Sequence, residues 1–475
     1  MQHDERDHAF EVSSAELRRW AARAADFAAA WLNRETCDPV LNFASGRELE
    51  AALDTEPPVA GSDFETVFAE FEDHIARYCR ANGHPRYFAY VSASADPAGM
   101  IAELLAAAMN QNVTAWRSSP GAATVERRVV SWLDQMVGFK GGHGVLTGGG
   151  SAANFNALAM AIVRAEGRGV ERRDMVVYLS EDTHFSLVKA ARVLGVPPGN
   201  VRALPLDAGR RMQLPALKAA IHADREARRH PLLVCASAGT ANCGAIDPIE
   251  DIAAVAGDSG AWLHVDGAYG APAASTGSHA WLRDAFARAD SLSIDPHKWL
   301  YTPLDAGCLL YRDPAVARDA FAESAAYTAV TQTDPVEAHA FFDHGMELSR
   351  RFRALKLWFA LKLRGTAAFA RAIERNIAIR EHLDRRLAAD AGMERLASGL
   401  SISCFRIVKK GADLESLNAL NARVLDRLLA SGRFLLSPTA LDGAFALRVC
   451  IVNFRTTEQD IDALLQAIRE AAAEG

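Results

Sequence analysis

The sequence lacks the features that mark membrane-spanning, secreted and nucleic-acid-binding chains. No apolar run reaches the roughly 20 residues that a membrane helix needs, and residues 1–14 are too polar and acidic for a secretory signal. The seven cysteines are scattered without a Cys-x-x-Cys pair, which argues against a zinc site and favours free thiols. Lys plus Arg number 52 against 59 Asp plus Glu, a formal charge of −7, so there is no basic excess for nucleic acid. These absences predict a cytoplasmic protein that binds neither a membrane nor nucleic acid.

What the sequence does contain is typical of a large enzyme with an α/β fold. The chain has 475 residues, of which 50% are hydrophobic and 23% charged, enough for an extensive core. The pattern predicts a helical segment over 1–92 that packs on a partner subunit, a large domain over 93–347 and a small C-terminal domain over 348–475. In the large domain short apolar runs alternate with helical patterns, which predicts a mostly parallel sheet covered on both faces. The seven predicted strands are 145–147, 175–180, 201–206, 232–238, 261–267, 291–296 and 306–312.

Two further predictions concern the order of these elements. The last two strands of the large domain are joined by a short connection and are expected to pair antiparallel. The C-terminal pattern predicts a long helix over 348–363, strands at 400–408, 433–436 and 445–453, and helices near 414–429 and 458–473. The chain should therefore end in a smaller α+β unit.

A glycine-rich segment follows the first predicted strand of the sheet. Gly148, Gly150 and Ala153 lie between that strand and a helical run that begins near residue 155. Glycines permit close backbone approach, and the N–H groups at a helix N-terminus attract anions, phosphate above all. The segment lacks the Gly-Lys-Ser/Thr ending of a Walker A loop but matches the G-x-G-x-x-A pattern of dinucleotide-binding folds. A phosphate site, a dinucleotide site and a structural turn are all open at this point.

Three polar residues follow other predicted strands. Asp266 ends an apolar run, where a buried carboxylate needs a cationic or hydrogen-bonding partner. Lys298 lies just past a strand, where burial and a neighbouring histidine should lower its pKa and favour imine chemistry. His184 follows a strand on the side where ligands bind in open α/β folds. Each alone is more often structural, but with a phosphate cradle they provide what pyridoxal 5′-phosphate (PLP) needs for its phosphate, ring nitrogen and aldehyde, with His184 able to lie flat on the ring.

Ordered blocks along nearly the whole chain resemble one family. They include HPRYFAY at 84–90, GGGSAAN at 148–154, THFS at 183–186, GT at 239–240, GAIDP at 244–248, HVD at 264–266, DPHKW at 295–299 and SRRFRALK at 349–356. With them the chain resembles the group II PLP-dependent decarboxylases, in particular the branch that contains aromatic-L-amino-acid decarboxylases. The resemblance implies the PLP-dependent transferase fold of aspartate aminotransferase (fold type I), with a seven-stranded mostly parallel sheet and a smaller α+β C-terminal domain. It also implies a homodimer with active sites at the subunit interface.

The same resemblance implies a role for each matching residue. Lys298 would bind the aldehyde of PLP covalently, Asp266 would pair with the ring nitrogen, and His184 would stack on the ring. Tyr327 would lie in a mobile loop that closes over the neighbouring subunit's site and would deliver a proton to the α-carbon after CO2 leaves. The other residues implied at the cofactor are Gly150, Ser151, Thr240, Ala268 and His297. Asp295 stands where relatives often have asparagine near the phosphate, and its role is open.

The activity implied is PLP-dependent decarboxylation of an L-amino acid to its amine and CO2. An aromatic substrate is favoured: tryptophan, tyrosine, dopa or phenylalanine. Asn82 and Thr114 stand where aromatic-specific relatives carry aromatic residues, so a non-aromatic amino acid is an alternative. Arg86 is the only candidate for binding a side-chain carboxylate of the substrate, and a structural arginine is the commoner interpretation. Relatives that release aldehydes tend to replace the stacking histidine or the loop tyrosine; both are kept here, and aldehyde synthesis stays an alternative.

Two remoter alternatives follow from the same residues. The glycine pattern alone is compatible with an NAD-dependent oxidoreductase. Such folds carry an acid about 20 residues beyond the glycines, whereas Glu181 lies 181 − 150 = 31 residues beyond Gly150. Hydride transfer also gives no reason for Asp266 and Lys298. A non-catalytic PLP-binding protein would keep the lysine but could lose the histidine or the loop tyrosine.

Overall fold

The computed structural model describes residues 10–53, 56–323 and 333–473. The α-helices in these residues are α1 (Ser14–Leu32), α2 (Gly46–Ala51), α3 (Phe64–Glu70), α4 (Pro97–Met109), α5 (Pro120–Val137), α6 (Gly150–Glu166), α7 (Ser186–Val193), α8 (Leu214–Glu226), α9 (Ile249–Ser259), α10 (Leu282–Phe286), α11 (Pro314–Phe321), α12 (Ala354–Arg364), α13 (Thr366–Ala388), α14 (Leu414–Ala430) and α15 (Glu458–Ala473). The strands are β1 (His143–Thr147), β2 (Met175–Ser180), β3 (Val201–Leu204), β4 (His230–Ser237), β5 (Trp262–Asp266), β6 (Ser291–Ile294), β7 (Gly307–Tyr311), β8 (Met393–Gly399), β9 (Ile402–Ile407), β10 (Ser437–Leu441) and β11 (Ala444–Cys450).

A seven-stranded sheet forms the centre of the larger part of the chain and confirms the predicted fold. Its order is β1-β7-β6-β5-β4-β2-β3. Strands β6, β5, β4, β2 and β3 run parallel, and β7 runs antiparallel to both β1 and β6. All seven predicted strands are present. The predicted antiparallel pairing of the last two is confirmed, with Ser291 opposite Tyr311 and Ile294 opposite Cys308.

The strands of this sheet are apolar along their length because helices cover them. Every residue of β2, β5 and β7 is buried, and continuous burial without alternation is typical of a sheet between two helical layers. Helix α6 packs against β4, β5, β6 and β7, α5 against β1, and α9 against β4 and β5. The parallel strands therefore bring their carboxyl ends to one edge, where open α/β folds bind ligands.

A smaller α+β unit closes the chain, as predicted. Its four-stranded antiparallel sheet has the order β10-β11-β9-β8. Side chains of α13, α14 and α15 pack on β9 and β11 in an apolar cluster of their own. The strands predicted at 400–408 and 445–453 correspond to β9 and β11, and the two helices predicted after residue 410 correspond to α14 and α15.

Three details of the chain after residue 347 differ from prediction. The run 433–436 forms no strand beyond an isolated bridge between Leu435 and Tyr87, and β10 follows it instead. Strand β8 is missed because most of its residues are only partly buried and show no alternation. The helix predicted from residue 348 begins only at Ala354, since the preceding Arg350 and Arg353 turn inward to bind carboxylates.

The first three helices of the chain, α1 to α3, have no buried residue. Helix α1 packs on the following helical segment through aromatic rings, with centroids 5.0 Å apart for Trp20 and Phe64 and for Phe27 and Phe71. Packing of 1–92 on a partner subunit, and domain boundaries at 92 and 347, stay predictions. Within the described part of the chain, every helix is too short or too polar to cross a membrane.

A buried ion pair ties three parts of the chain together. The Arg350 guanidinium contacts the Glu126 carboxylate of α5, and the two side chains are 2% and 0% exposed. The same guanidinium donates to the backbone oxygens of Val113 and Leu146, each at 2.8 Å. The Leu146 N–H in turn donates to Glu126 at 3.1 Å. The pair therefore fixes β1, which leads into the glycine-rich segment, against α5 and the chain before α12.

We expect Glu126→Gln to lower the free energy of unfolding by about 3–5 kcal/mol, because it leaves Arg350 as an uncompensated buried charge. Urea unfolding followed by circular dichroism measures the change. Glu166→Gln is the matched control: it breaks an exposed pair with Arg172 and should cost about 1 kcal/mol or less. Equal effects of the two variants would contradict the role given to the buried pair.

Candidate active site

The predicted site residues line one cavity at the carboxyl edge of the large sheet. The cavity has a volume of about 470 Å³ and lies where β1, β4, β5 and β6 end. The structure brings eight of the predicted residues together there: Gly150, Ser151, His184, Thr240, Asp266, Ala268, His297 and Lys298. The ninth, Tyr327, lies outside the described residues. One small molecule can therefore meet all eight residues at once.

The glycine-rich segment forms the floor at one end of this cavity. Helix α6 begins at Gly150, and the first N–H groups of a helix lack acceptors within it, so this end is partly positive. A Cβ on Gly150 would lie 2.8 Å from the Ala268 Cβ, so only glycine fits. Gly307, the first residue of β7, is as crowded: a Cβ there would lie 2.5 Å from the Gly149 Cα. This close packing leaves a backbone cradle with the Ser151 side chain beside it, which suits a phosphate group.

Asp266 is a buried carboxylate at the end of β5, with 8% of its surface exposed. Its Oδ2 accepts a hydrogen bond from Asn154 Nδ2 at 2.9 Å. Its Oδ1 accepts from the Ser293 hydroxyl at 3.2 Å and from the Ala268 N–H at 3.1 Å. Burial by itself would raise the pKa of Asp266, but the neighbouring His264, the Lys298 ammonium and the hydrogen bonds from Asn154 and the Ala268 N–H hold it below its usual value. The site thus keeps an ionised carboxylate facing a cavity.

His184 is a neutral imidazole beside the same cavity. It follows β2, and its Nδ1 lies 2.8 Å from the Ser186 hydroxyl. Burial lowers the pKa of His184, with a smaller opposing effect of the Asp266 carboxylate. A neutral, partly buried ring in this place can stack on a flat ligand without adding charge.

Lys298 does not behave as expected from the sequence. Its Nζ lies 2.9 Å from Asp295 Oδ2. Burial alone would lower the pKa of Lys298, but the Asp295 carboxylate outweighs burial and raises it. The predicted fall in pKa is therefore wrong, because the sequence did not reveal that the acid three residues earlier turns back onto the amine.

Asp295, whose role the sequence left open, is the counter-ion of the lysine in this structure. Its Oδ2 also lies 3.6 Å from His297 Nε2, and its Oδ1 is buried without a hydrogen-bond partner among the described residues. Burial lowers the pKa of His297, whose Nδ1 accepts from the Ala306 N–H at 3.1 Å. The neutral His297 ring therefore presents its Nε2–H towards Asp295, which the lysine neutralises.

Two predicted cofactor residues, Thr240 and Ala268, contribute small side chains to the cavity wall. Thr240 lies in the turn after β4, where its hydroxyl accepts from the Ala245 N–H at 3.2 Å, so its position is fixed by the backbone. Ala268 donates its N–H to Asp266 and places its Cβ next to Gly150. Both residues shape the wall against which a flat ring can pack.

One polar residue of this site was not predicted from the sequence. Asn154, in the first turns of α6, donates to Asp266 and, at 3.0 Å, to the Ser186 hydroxyl. Its sequence signal is weak: one amide in a helical run of small and apolar residues. That it faces β5 follows only from the packing of α6 on the sheet.

The residues considered for substrate selectivity lie elsewhere. Neither Asn82 nor Thr114 is among the residues lining the cavity. Thr114 has a buried hydroxyl without a hydrogen-bond partner within the described chain. Arg86 pairs with Asp460 at 3.1 Å and lies over the ring of Phe434. The structure thus supports the structural interpretation of Arg86.

The topology argues against a dinucleotide site. The G-x-G-x-x-A fingerprint belongs to a strand with a parallel neighbour in a βαβ unit. Strand β1 is instead at the edge of the sheet, where its partner in the described residues is the antiparallel β7. The chemistry of the cavity fits PLP: a positive helix end for its phosphate, an ionised carboxylate for its ring nitrogen and an amine for its aldehyde.

Comparisons with known proteins agree with this assignment. The family model described as "Pyridoxal-dependent decarboxylase conserved domain" matches residues 47–408. An aromatic-L-amino-acid decarboxylase from Bacillus atrophaeus is 32% identical over 467 residues, which are 98% of this chain and 97% of that protein. A phenylacetaldehyde synthase from Petunia hybrida is 30% identical, over 96% of this chain and 94% of that protein.

A solved structure shows that the likeness extends to the whole fold. The crystal structure of Oryza sativa TDC with PLP and tryptamine matches with a TM-score of 0.92 at 28% identity. The match covers 98% of this chain and 99% of that one. The predicted resemblance, the fold and the cofactor are thereby confirmed. The chain belongs to the pyridoxal-dependent decarboxylase family, whose members are PLP-dependent carboxy-lyases.

Proposed function

We propose that this chain converts an L-aromatic amino acid to its amine and CO2. The observation that carries the proposal is the cavity in which a phosphate cradle, an ionised carboxylate and a lysine amine converge. Support for the aromatic substrate comes from the Bacillus atrophaeus relative, named for aromatic L-amino acids, and from the tryptamine in the Oryza sativa structure. PLP, when bound, supplies an electron sink for the electron pair that remains when CO2 leaves.

In this proposal the chain's residues bind and orient the cofactor. The Lys298 amine attaches its aldehyde, and the N-terminus of α6 with the Ser151 hydroxyl binds its phosphate. Asp266 keeps a proton on the ring nitrogen, because an ionised carboxylate favours the charged form of a neighbouring base. The neutral His184 ring stacks on the cofactor. Thr240, Ala268 and His297 complete the walls.

Proton delivery is assigned to Tyr327. We propose that its hydroxyl protonates the α-carbon once CO2 has left, as the resemblance implies. Without such a general acid, the electron pair that CO2 leaves behind would pass to dissolved O2, and the substrate would leave as aldehyde and ammonia with hydrogen peroxide as the reduced product. The Petunia hybrida relative is named as a phenylacetaldehyde synthase. Aldehyde release is therefore the second candidate activity of this chain.

We further propose a cytoplasmic homodimer with the active sites at the interface. The poorly buried α1 and an apolar face on α4 support association with a second copy. The exposed apolar residues of α4 are Ile101, Leu104, Leu105 and Met109. Seven free cysteines, five of them buried, support a reducing compartment.

The substrate class is tested with a panel of L-amino acids on the PLP-loaded enzyme, assaying CO2 and amine. We expect kcat/KM for tryptophan, tyrosine, dopa and phenylalanine to exceed that for leucine, aspartate and glutamate. Preference for a non-aromatic amino acid would contradict the substrate assignment, and equimolar aldehyde instead of amine would establish the second candidate.

Lys298→Ala should abolish the visible imine band that borohydride removes, while Lys189→Ala, at an exposed lysine of α7, should keep it.

Asp295→Asn should speed the attachment of PLP to the cofactor-free enzyme near neutral pH. The carboxylate raises the pKa of Lys298, and only the unprotonated amine attacks an aldehyde. Each unit by which that pKa falls increases the unprotonated fraction about tenfold. The measurement is the rate at which the imine absorbance appears. Asp251→Asn, an exposed change on α9, should leave the rate as it was; an unchanged or slower rate in Asp295→Asn would refute the counter-ion role.

Tyr327→Phe should lower the rate of amine formation by about 10²–10⁴-fold, the usual contribution of a general acid, and raise the share of aldehyde. Product analysis by chromatography measures both. Tyr78→Phe, at a tyrosine that does not line the cavity, is the control and should change neither. The same product ratio in Tyr327→Phe and the unmodified enzyme would reject the loop assignment.

A further inference from the structure

Asn154 uses both ends of its side-chain amide inside the protein. The residue is 1% exposed. Its Nδ2 donates to Asp266 Oδ2 at 2.9 Å and to the Ser186 hydroxyl at 3.0 Å. Its Oδ1 lies 2.9 Å from His264 Nε2. Two donors and one acceptor are thus engaged, and the amide links two polar groups of β5 to one at the start of α7.

The direction of this amide is matched by a buried chain of hydrogen bonds along β5 and β6. The ionised Asp266 carboxylate can only accept, so Asn154 turns its Nδ2 to Asp266 and its Oδ1 to His264 Nε2, which must carry the proton. The Ser291 hydroxyl accepts from Trp262 Nε1–H at 2.7 Å and donates its own hydrogen to His264 Nδ1, 2.8 Å away. A neutral imidazole with an accepting Nδ1 carries its proton on Nε2, so it donates to Asn154 Oδ1. A flipped amide would place two oxygens against each other at Asp266.

His264 can play this part because it is uncharged. The ring is fully buried between β4 and β6, and burial lowers its pKa to about 4, against a weaker opposing effect of Asp266. At neutral pH the ring therefore takes part in the network as a donor through Nε2 and an acceptor through Nδ1.

The other donor of Asn154 reaches His184. Ser186 Oγ accepts from Asn154 Nδ2, so its own hydrogen points to His184 Nδ1 at 2.8 Å. The Ser186 backbone N–H donates to the same nitrogen at 3.3 Å. With Nδ1 accepting, the neutral His184 ring carries its proton on Nε2. The amide therefore acts on both residues that the proposed function places against the cofactor ring.

We infer that Asn154 is a positioning residue, which fixes the ionised Asp266 carboxylate and the tautomer of His184 together, and that Trp262, Ser291 and His264 hold it in this orientation. The inference rests on the proposed function, because the two target residues act on a cofactor ring only if the chain binds one. The buried polar groups of the sheet then have a role beyond packing. Their hydrogen bonds run from Trp262 to the two residues placed against the cofactor.

The test is Asn154→Asp, which keeps the size of the side chain and replaces the donor to Asp266 by a second carboxyl group. Two adjacent carboxyl groups share a proton, so Asp266 no longer keeps the ring nitrogen protonated. PLP labelled with ¹⁵N in the ring reports this directly: we expect the nitrogen signal of the variant to move from the protonated towards the unprotonated value. We also expect kcat to fall about 10- to 100-fold, the effect of losing a group that orients a metal-binding residue in other enzymes, with KM within about twofold.

Asn156→Asp is the matched control. Asn156 is also buried in α6, two residues further on, and has no hydrogen bond to Asp266. It receives the same charge in the same helix, so a general disturbance of α6 should affect both variants alike. If the ¹⁵N signal and kcat change equally in both variants, or in neither, the positioning role is overturned.

A milder variant keeps the test valid if Asn154→Asp folds poorly. Ser291→Ala cuts the chain between Trp262 and His264 and leaves every cavity residue in place. We expect the same direction of change in the ¹⁵N signal and in kcat, at smaller size; an unchanged ring nitrogen and unchanged kcat would overturn the inferred role of the chain. Failure of the unmodified enzyme to bind PLP or to release CO2 would instead overturn the proposed function, and this control is measured first.

Discussion

The structure depends on keeping one carboxylate ionised inside the protein. A charge removed from water is stable only when hydrogen bonds or an opposite charge replace the lost hydration. Asp266 receives such bonds from a helix, from the neighbouring strand and from its own turn, and Lys298 supplies the opposite charge. Parallel strands with buried carboxyl ends make this possible, because several elements end at the same edge. The cavity is the place where these ends leave room for a ligand.

The same edge explains why the binding groups come from distant parts of the sequence. The glycine-rich segment follows β1 at one border of the sheet, and the lysine segment follows β6 two places further in. Strand β7 runs back between them, so the two segments touch although about 150 residues separate them. The Glu126–Arg350 pair then holds the β1 side in register with the helices around it. Cofactor binding is thus a property of the whole sheet, and no single segment would bind alone.

Much of the fold could be predicted because its signals are local. Seven continuous apolar runs between helical patterns gave seven strands, and a short connection gave the antiparallel pair. Strand β8 and the late start of α12 could not be predicted, since partial burial and the inward turn of Arg350 are set by contacts with distant residues. At the site, the positions of Asp266, Lys298 and His184 just after strands were sufficient to predict that these three residues lie together. The raised pKa of Lys298 and the role of Asn154 depend on which neighbour each side chain meets, and sequence spacing does not show this.

The contact between Gly307 and Gly149 couples the positions of two backbone segments at the cavity. The backbone that returns from the lysine lies directly on the backbone that would cradle the phosphate, with no side chain between them to absorb a displacement. Because the two backbones are in contact, a shift of one by a fraction of an ångström must displace the other. The backbone therefore fixes the distance between the phosphate cradle and the lysine. Side-chain substitutions elsewhere in the cavity can change the reaction without changing this distance.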